Sequence, residues 1–454
     1  MKGSNPSRVL FCIGSHNLWG GIEHWLDELS GFLSSRDWDI RVGLARGSRF
    51  NLPREFQRMH PRLNAVELDG RTGTPVGRMR AVLRAIAKVG PDVLIPVGLA
   101  DGFRAAEHAK RTGNPIRVLA PLRATSPELL GEIEAFAPII DLCVGNNPLH
   151  AKFLRESGRL PKDRVTTIMN GVRLPAAERM TTRKVDSPLR LLFVGRLHPG
   201  HKRVLDLPLL LNSLDRRGTG FQMTVVGDGE GKKALLGQMH GRIESGEVRF
   251  LGFMTPESIA REVFPEHDVL VHFSAAYGEG CPQVLQQAMA NGVVPVCSEF
   301  IGIHSLGFLR DWETCCSFPT GEIESAASKI ATLAHDPALL ARMAKSGRDC
   351  MRRFPMERAL VDWEDAINRV MQLPVRGLGD GSGMATPRVA PNRLERLGLR
   401  PEAADRIRRL LRRYPSFIDG WAEWPGTVTV LEPARRSAML AELARLDLEA
   451  RQPR

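Results

Sequence analysis

The sequence predicts an α/β protein made of two Rossmann-like domains that face a central cleft, followed by a mostly helical C-terminal tail. A chain of 454 residues is too long for one hydrophobic core, and a composition of 43% hydrophobic and 25% charged residues is typical of a globular protein. Short apolar runs alternate with longer amphipathic runs, which is the pattern of parallel strands covered by helices.

The predicted strands form two series. The first consists of residues 9–13, 39–44, 93–97, 117–120 and 142–145, and the second of residues 189–194, 222–226, 248–251, 269–273 and 293–297. A helix is predicted over residues 22–33, where Ile22, Trp25, Leu26, Leu29, Phe32 and Leu33 recur at helical spacing. Further helices are predicted at 337–354 and 356–373.

Composition shifts mark the domain boundaries. We assign residues 1–185 to the first domain, 186–355 to the second, and 356–374 to a terminal helix that packs back on the first domain. Residues 375–392 are rich in Gly, Pro and Ser, which predicts a flexible linker. Residues 393–454 form an Arg-rich helical extension.

Charge and cysteine content limit the class of protein. The net charge of +12 favours an anionic partner, which could be nucleic acid, an anionic membrane face or a phosphorylated substrate. The seven cysteines form no CxxC pair and no zinc spacing. No apolar run approaches the roughly 18 residues of a membrane span, and the run at 9–13 is too short for a secretion signal. We therefore expect a cytoplasmic protein.

Two basic residues follow the predicted strand at 189–194. Arg196 and Lys202 lie six positions apart on a loop that begins with Gly195. Fixed Arg and Lys side chains suit the diphosphate of a nucleotide sugar, whose departure leaves negative charge on the β-phosphate. A basic turn exposed to solvent would contain the same residues. This segment therefore indicates a diphosphate site only in combination with a second segment.

The second segment, residues 276–287, combines glycines with a carboxylate and a helix start. Pro282 suits the first turn of a helix, whose free N–H groups attract anions. Glu279 can accept hydrogen bonds from sugar hydroxyls, and Gln287 can reach a ribose from the helix face that it shares with Gln283. The alternative is that Glu279 is only an acidic residue at a helix N-terminus.

Together these segments resemble the nucleotide-binding domain of the retaining GT-B glycosyltransferases of family 4. The matching residues, in the order typical of that family, are Gly195-Arg196-Leu197, Lys202, Gly227-Asp228-Gly229, Leu251-Gly252-Phe253, Glu279-Gly280-Cys281-Pro282 and Gly292-Val293-Val294-Pro295-Val296. The resemblance runs from Arg8 to Leu373. It is looser in the first half, where it depends on Gly20-Gly21-Ile22-Glu23 and Met169-Asn170-Gly171-Val172.

The resemblance implies roles for these residues. Arg196 and Lys202 would hold the diphosphate and Glu279 would contact the donor sugar, so these three are the expected catalytic residues. The other donor-binding residues would be Gly20, Gly21, Gly195, Gly227, Phe253, Gly280, Cys281, Pro282, Gln283 and Gln287. Because the two cations supply the positive charge, we expect neither a metal ion nor a further cofactor. His198 and His201 could ligate a metal but lack a Cys or carboxylate neighbour in the sequence.

Two departures from the family pattern concern the donor side. Gln287 replaces the second Glu of the family, which typically grips the ribose, and Cys281 replaces a Phe. On the acceptor side the family's histidine has no clear counterpart, and the candidates there are Arg123 and Asn170. In enzymes of this type the leaving phosphate itself is thought to help take the proton from the acceptor.

The expected function is transfer of a sugar, with retention, from a nucleotide sugar to a hydroxyl of a glycan or lipid-linked acceptor. The pathway would be cell-surface polysaccharide or glycolipid synthesis. The alternatives are a non-catalytic nucleotide-sugar-binding relative, which Gln287 keeps open, and another GT-B enzyme such as an epimerase. We expect no nucleic-acid partner, because no recognised basic-aromatic module appears.

The Arg-rich tail adds a possible partner. In residues 401–414, Ala403, Ile407, Leu410 and Tyr414 recur on one helix face and arginines occupy much of the remainder. Such a helix either lies on an anionic membrane or docks on the body of the protein with its charged face in water. Trp421 and Trp424 are either interfacial anchors or core residues. We therefore expect the protein to make peripheral contact with the inner face of the plasma membrane.

Overall fold

The chain forms two units, each built on one parallel β-sheet. A computed structural model describes residues 7–13, 20–46, 53–70, 74–175, 187–375, 393–411 and 431–451. The first unit consists of Met1–Ile168 and Leu360–Glu442, and the second of Met169–Ala359 and Leu443–Arg454. Residues 176–186, at the predicted boundary between the two domains, lie outside the described residues, as do most of the linker predicted at 375–392 and Tyr414, Trp421 and Trp424.

The first unit contains a seven-stranded parallel sheet in the order β3-β2-β1-β4-β5-β6-β7. Its strands are β1 (Arg8–Ile13), β2 (Asp39–Arg46), β3 (Ala65–Asp69), β4 (Val93–Val97), β5 (Arg117–Leu122), β6 (Leu142–Gly145) and β7 (Val165–Thr167). Residues 9–13 and 93–97 are buried throughout, because helices cover both faces of a parallel sheet.

The connecting helices of the first unit are amphipathic. They are α1 (Gly21–Ser34), α2 (Pro53–Met59), α3 (Pro75–Val89), α4 (Ala100–Arg111), α5 (Pro127–Ala135) and α6 (Pro148–Glu156). The helix predicted at 22–33 is thus confirmed as α1, which buries Trp25, Leu26, Leu29 and Leu33. Ile22, at its first turn, is exposed.

The second unit contains a six-stranded parallel sheet in the order β10-β9-β8-β11-β12-β13. Its strands are β8 (Leu189–Val194), β9 (Phe221–Val226), β10 (Val248–Gly252), β11 (Val269–His272), β12 (Val294–Ser298) and β13 (Cys316–Phe318). Strands β8 and β11 are neighbours, and the strand order runs outward from them in opposite directions. The space beyond their carboxyl ends is therefore the topological switch point, where open α/β sheets usually bind ligands.

The helices of the second unit cover this sheet on both faces. They are α7 (Asp206–Arg216), α8 (Lys232–Gln238), α9 (His240–Glu244), α10 (Pro256–Ser258), α11 (Gln283–Ala290), α12 (Ile323–His335) and α13 (Pro337–Met351). One core packs β8 and β9 against α7 and α12 and includes Leu191, Leu210 and Ile330. The other packs against α11 and includes Cys281, Leu285 and Phe300.

Beyond α13, the described part of the chain contains four further helices. They are α14 (Met356–Gln372), α15 (Arg393–Arg396), α16 (Pro401–Leu411) and α17 (Pro433–Glu449). Helix α14 joins the first unit from Leu360 onward, where Trp363 packs against Trp25 with ring centroids 4.9 Å apart and the rings tilted by 53°. Within the residues that the structure describes, no helix is both long enough and apolar enough to cross a membrane.

Candidate functional site

Residues 195–203, which we call the Arg196 loop, connect β8 to the helical layer. The buried Leu197 anchors this loop in the core while Arg196 beside it is exposed. The imidazole Nδ1 of His198 accepts hydrogen bonds from the N–H groups of Gly200, at 3.1 Å, and His201, at 2.9 Å. The loop is therefore held by its own hydrogen bonds and presents the Arg196 guanidinium to solvent.

A second loop, at Gly227-Asp228-Gly229, packs backbone to backbone against the Arg196 loop. The N–H of Leu197 donates to the carbonyl of Asp228 at 2.9 Å, and the N–H of Gly195 donates to Val226 at 3.0 Å. Gly227 has φ 144°, and a Cβ there would lie 1.9 Å from the carbonyl oxygen of Gly195. Only glycine permits this approach, which explains the Gly-Asp-Gly pattern.

Residues 275–282, which we call the Glu279 loop, follow β11 and meet the Arg196 loop. Lys202 Nζ donates to Glu279 Oε1 at 2.5 Å, and the Ser274 hydroxyl donates to the same oxygen at 3.0 Å. Lys202 Nζ also lies 3.3 Å from His272 Nε2. Glu279 is only 7% exposed, so this is a buried ion pair at the switch point between β8 and β11.

The charges of this group are fixed by their surroundings. Burial alone would raise the pKa of Glu279, but Lys202, His272 and His201 together lower it below the usual range of a carboxyl. Burial lowers the pKa of His272 to about 3, and the charge of Lys202 acts in the same direction. At neutral pH the Glu279 carboxylate is therefore ionised and the His272 imidazole is neutral.

The Glu279 loop is held from two sides by backbone hydrogen bonds. The N–H of Ala275 donates to the carbonyl of His201 at 2.9 Å, and the N–H of Ile301 donates to the carbonyl of Ala276 at 2.8 Å. Gly278 has φ 107°, and a Cβ there would lie 2.9 Å from His201 Nε2. The position of Glu279 thus depends on the neighbouring Arg196 loop and on the segment that contains Ile301.

Helix α11 begins directly after this loop. Its first residue is Gln283, so Pro282 caps the helix rather than lying in its first turn. Cys281 is buried in the core, and burial of this kind fits packing rather than thiol chemistry. Gln283 and Gln287 are half-buried, one helical turn apart.

Asn170, which the sequence analysis placed on the acceptor side, lies in the second unit beside α11. Its side-chain amide donates to the carbonyl of Cys281 at 2.6 Å, and the buried amide of Gln286 donates to the carbonyl of Asn170 at 2.7 Å. A Cβ on the next residue, Gly171, would lie 2.4 Å from the Cα of Met356. The Met169-Asn170-Gly171-Val172 segment therefore packs against Cys281, at the end of the Glu279 loop, and against α11.

Phe253 follows β10 at the same edge of the sheet. It is 47% exposed, and the preceding residue, Gly252, accepts a hydrogen bond from the N–H of Gly227 at 2.7 Å. An exposed aromatic ring next to two ordered loops offers a flat surface on which a planar base can stack.

In the first unit, the candidate residues lie at the carboxyl ends of β1 and β5. Gly20 and Gly21 form the start of α1. Arg123 follows β5, and its guanidinium carbon lies 4.3 Å from the centre of the Trp25 ring. Stacking on Trp25, which itself packs on Trp363, fixes the direction of the Arg123 side chain.

Sequence reasoning missed His272 and Ser274 and treated His201 only as a metal candidate. His201 Nε2 lies 3.8 Å from Glu279 Oε1, and burial lowers the pKa of this histidine. His272 and Ser274 could have been found from the sequence, because they lie at the end of a predicted buried strand. The carboxyl ends of parallel strands meet at one edge of the sheet, and Gly195 lies at the same edge.

Comparisons with known proteins agree with this architecture. Residues 177–349 match the family model described as "Glycosyl transferases group 1". No curated protein sequence matches the chain significantly. The fold is GT-B, as the sequence predicted, because solved GT-B glycosyltransferases match both sheets.

Three solved structures illustrate the likeness. HepE of Anabaena, in complex with UDP and glucose, is 17% identical with a TM-score of 0.63, and the match covers 80% of this chain and 100% of HepE. The lipopolysaccharide outer core galactosyltransferase WaaB is 16% identical, with a TM-score of 0.62 and coverage of 80% and 99%. Sucrose-phosphate synthase of Thermosynechococcus elongatus is 16% identical, with a TM-score of 0.65 and coverage of 80% and 99%. At these identities the likeness concerns the fold.

Proposed function

We propose that this protein is a retaining glycosyltransferase that takes its sugar from a nucleotide-diphosphate donor and transfers it to a hydroxyl of a glycan or lipid-linked acceptor. The observation that carries the proposal is the buried Lys202–Glu279 pair next to the exposed Arg196, at the switch point of the second sheet. The match of residues 177–349 to glycosyl transferases group 1 supports it. Cell-surface polysaccharide or glycolipid synthesis is the pathway class that we propose.

We propose a separate role for each charged group of the site. The exposed Arg196 guanidinium can bind the phosphate oxygens in a bidentate manner. Lys202, held between Glu279 and His272, contributes a second positive charge whose position is fixed before the donor arrives, so little reorganisation accompanies charge development on the leaving phosphate. Glu279 keeps acceptor capacity for sugar hydroxyls because its carboxylate is ionised.

The two cations also make a divalent metal unnecessary in this proposal. We propose that the leaving phosphate, held by Arg196 and Lys202, takes the proton of the acceptor hydroxyl on the same face of the sugar. This scheme needs no protein base, and the reaction should continue in the presence of a metal chelator.

The experiment that tests the function is a thermal-shift screen of the full chain against UDP, GDP, ADP and their sugars. We expect one nucleotide class to raise the melting temperature of the wild type and to have no effect on Arg196→Ala, since a ligand stabilises only the form that binds it. Arg249→Ala, an exposed arginine of the same unit, is the control and should respond like the wild type. Absence of any shift in the wild type would overturn the proposal.

One observation favours a non-catalytic relative as the second candidate. Gln287 stands on α11 where the family pattern has a carboxylate. Nucleotide-sugar binding without release of nucleotide in the presence of candidate acceptors would support this reading, and turnover that appears only in Gln287→Glu would establish it. Conversion of the nucleotide sugar into an epimeric nucleotide sugar, without an acceptor, would instead indicate an epimerase.

We further propose that α15 and α16 contact an anionic membrane face from the cytoplasmic side. Leu397, Leu410 and Leu411 are 79%, 82% and 61% exposed, respectively, and the exposed Arg406 lies on the same helix as the last two. Exposed leucines next to arginines fit a lipid surface, where the apolar side chains enter the interface and the cations meet anionic headgroups.

Sedimentation with vesicles tests this surface. We expect the wild type to pellet with vesicles containing anionic phospholipid and to be released by replacement of both Leu410 and Leu411 with Glu. Leu209→Glu, which changes an exposed leucine on α7, is the control and should pellet like the wild type. Equal pelleting of all three proteins, or pelleting of none, would contradict the proposal.

A further inference from the structure

The C-terminal part of α17, residues 443–449, belongs to the second unit, although it lies far along the chain from the Glu279 loop. Leu443 and Leu446 are fully buried there, and Asp447 is buried as well. One Asp447 carboxylate oxygen accepts from the N–H of Gly302 at 2.8 Å. The other accepts from the N–H and the hydroxyl of Ser305, at 2.8 Å and 2.6 Å. Three donors thus converge on a single carboxylate, an arrangement that orders the turn at 302–305.

This turn is continuous with the segment that supports the Glu279 loop. Ile301, directly before Gly302, donates its N–H to the carbonyl of Ala276. Phe300 and Ile303 on either side are buried in the same core as Cys281, which ends the stretch containing Glu279. A shift of the 302–305 turn would therefore reach Ala276 through one hydrogen bond and Cys281 through side-chain packing.

We infer that Asp447 is a positioning residue for donor binding, acting through the 302–305 turn on the Glu279 loop. The inference deepens the proposed function and depends on it for its ligand. The stretch that matches the glycosyltransferase family model ends at residue 349, so the residue assigned here lies in the C-terminal extension. In this chain the extension completes the donor half of the protein.

Two measurements on the full chain test the inference. The first is the Kd of UDP, GDP and ADP by calorimetry for wild type, Asp447→Ala and Asp447→Asn. We expect Asp447→Ala to weaken the Kd of the nucleotide that binds by about tenfold, which is the effect of losing a charged hydrogen-bonding group that orders the site. Asp447→Asn should fall between the two, because one side-chain oxygen can still accept.

The matched control is Asp336→Ala. Asp336 also caps a backbone N–H in the second unit, accepting from Leu339 at 2.8 Å at the start of α13. Its hydrogen bonds among the described residues stay within α12 and α13 and do not reach the Glu279 loop. Both alanine variants should lose some thermal stability, whereas only Asp447→Ala should lose nucleotide affinity. Equal Kd values for wild type and Asp447→Ala would overturn the inference.

The second measurement needs no nucleotide. Hydrogen exchange of the amides in residues 274–282 should accelerate in Asp447→Ala and remain at the wild-type rate in Asp336→Ala. If the wild type binds none of the nucleotides, the proposed function fails, and the exchange rates still decide whether Asp447 orders the Glu279 loop. Unchanged exchange in Asp447→Ala would overturn the coupling even where nucleotides bind.

Discussion

Replacing Lys202 with Met is expected to abolish nucleotide binding and transfer and to lower the free energy of unfolding by about 3 kcal/mol, the cost of breaking a buried ion pair. The stability loss arises because Glu279 remains buried without its main counter-charge. In the variant, burial dominates and raises the pKa of Glu279. The variant therefore recovers stability as the pH falls and Glu279 takes up a proton, whereas the wild-type pair, whose Glu279 pKa is lowered, loses stability in acid. Urea denaturation of the wild type and of the variant at two pH values measures whether each protein gains or loses stability as the pH falls.

The double variant Lys202→Met with Glu279→Gln separates stability from binding. Removing the buried charge should restore much of the lost stability, because a neutral amide needs no counter-ion, yet nucleotide binding should remain absent. Lys233→Met removes an exposed lysine from the same unit and should change neither quantity. Nucleotide binding by the double variant would contradict the role that we assign to Lys202.

Most of the strands that sequence reasoning found are largely buried, as β4 and β6 are along their whole length, although the predicted edge strand β10 is buried only at Val248. The runs at 142–145 and 189–194 were predicted with the bounds of β6 and β8, because continuous apolar runs between turn residues leave little ambiguity. Strands β3, β7 and β13 lie at sheet edges and were missed. Two of them have only three residues, and β3 carries Glu67 and Asp69, so no apolar run marks them.

The residues at the candidate site also differ in whether the sequence alone could reveal them. Arg196, Lys202 and Glu279 could be found because each belongs to a short segment with recognisable order and spacing. Asp447 could not, since a lone polar residue shows its partners only once the chain is folded. The contact between Asp447 and Ser305 spans 142 positions, a separation that no local pattern reveals.

Helix α16 shows that a buried charged residue can make a prediction from apolar periodicity wrong. The apolar pattern placed Leu410 on the face with Ala403, but the residues that are buried are Ala404 and Asp405. Asp405 accepts from the Thr74 hydroxyl and from Arg80, both at 2.8 Å, and this docks the helix on the start of α3. Leu410 is exposed as a result, which is why the membrane proposal depends on the structure rather than on the pattern.

Substituting Gly227 with Ala is expected to disrupt the second unit more than other single methyl additions there. The new Cβ would overlap the Gly195 carbonyl oxygen at 1.9 Å, and φ 144° is strained for any residue with a side chain. Because the obstacle is backbone, no rotamer change can relieve the overlap. We expect a loss of more than about 4 kcal/mol in unfolding free energy, which belongs to the severe end of single substitutions.

The functional part of this prediction concerns the Arg196 loop. Gly195 cannot stay in place beside a larger residue 227, so the loop that it begins must shift and Arg196 must leave its position. Gly241→Ala is the matched control, because a Cβ on that glycine of α9 meets no atom within 4 Å. Thermal unfolding and the nucleotide screen should show loss of both stability and binding in Gly227→Ala and neither loss in Gly241→Ala. A Gly227→Ala protein that melts within about 2 °C of the wild type would show that the two loops are not held together as the structure places them.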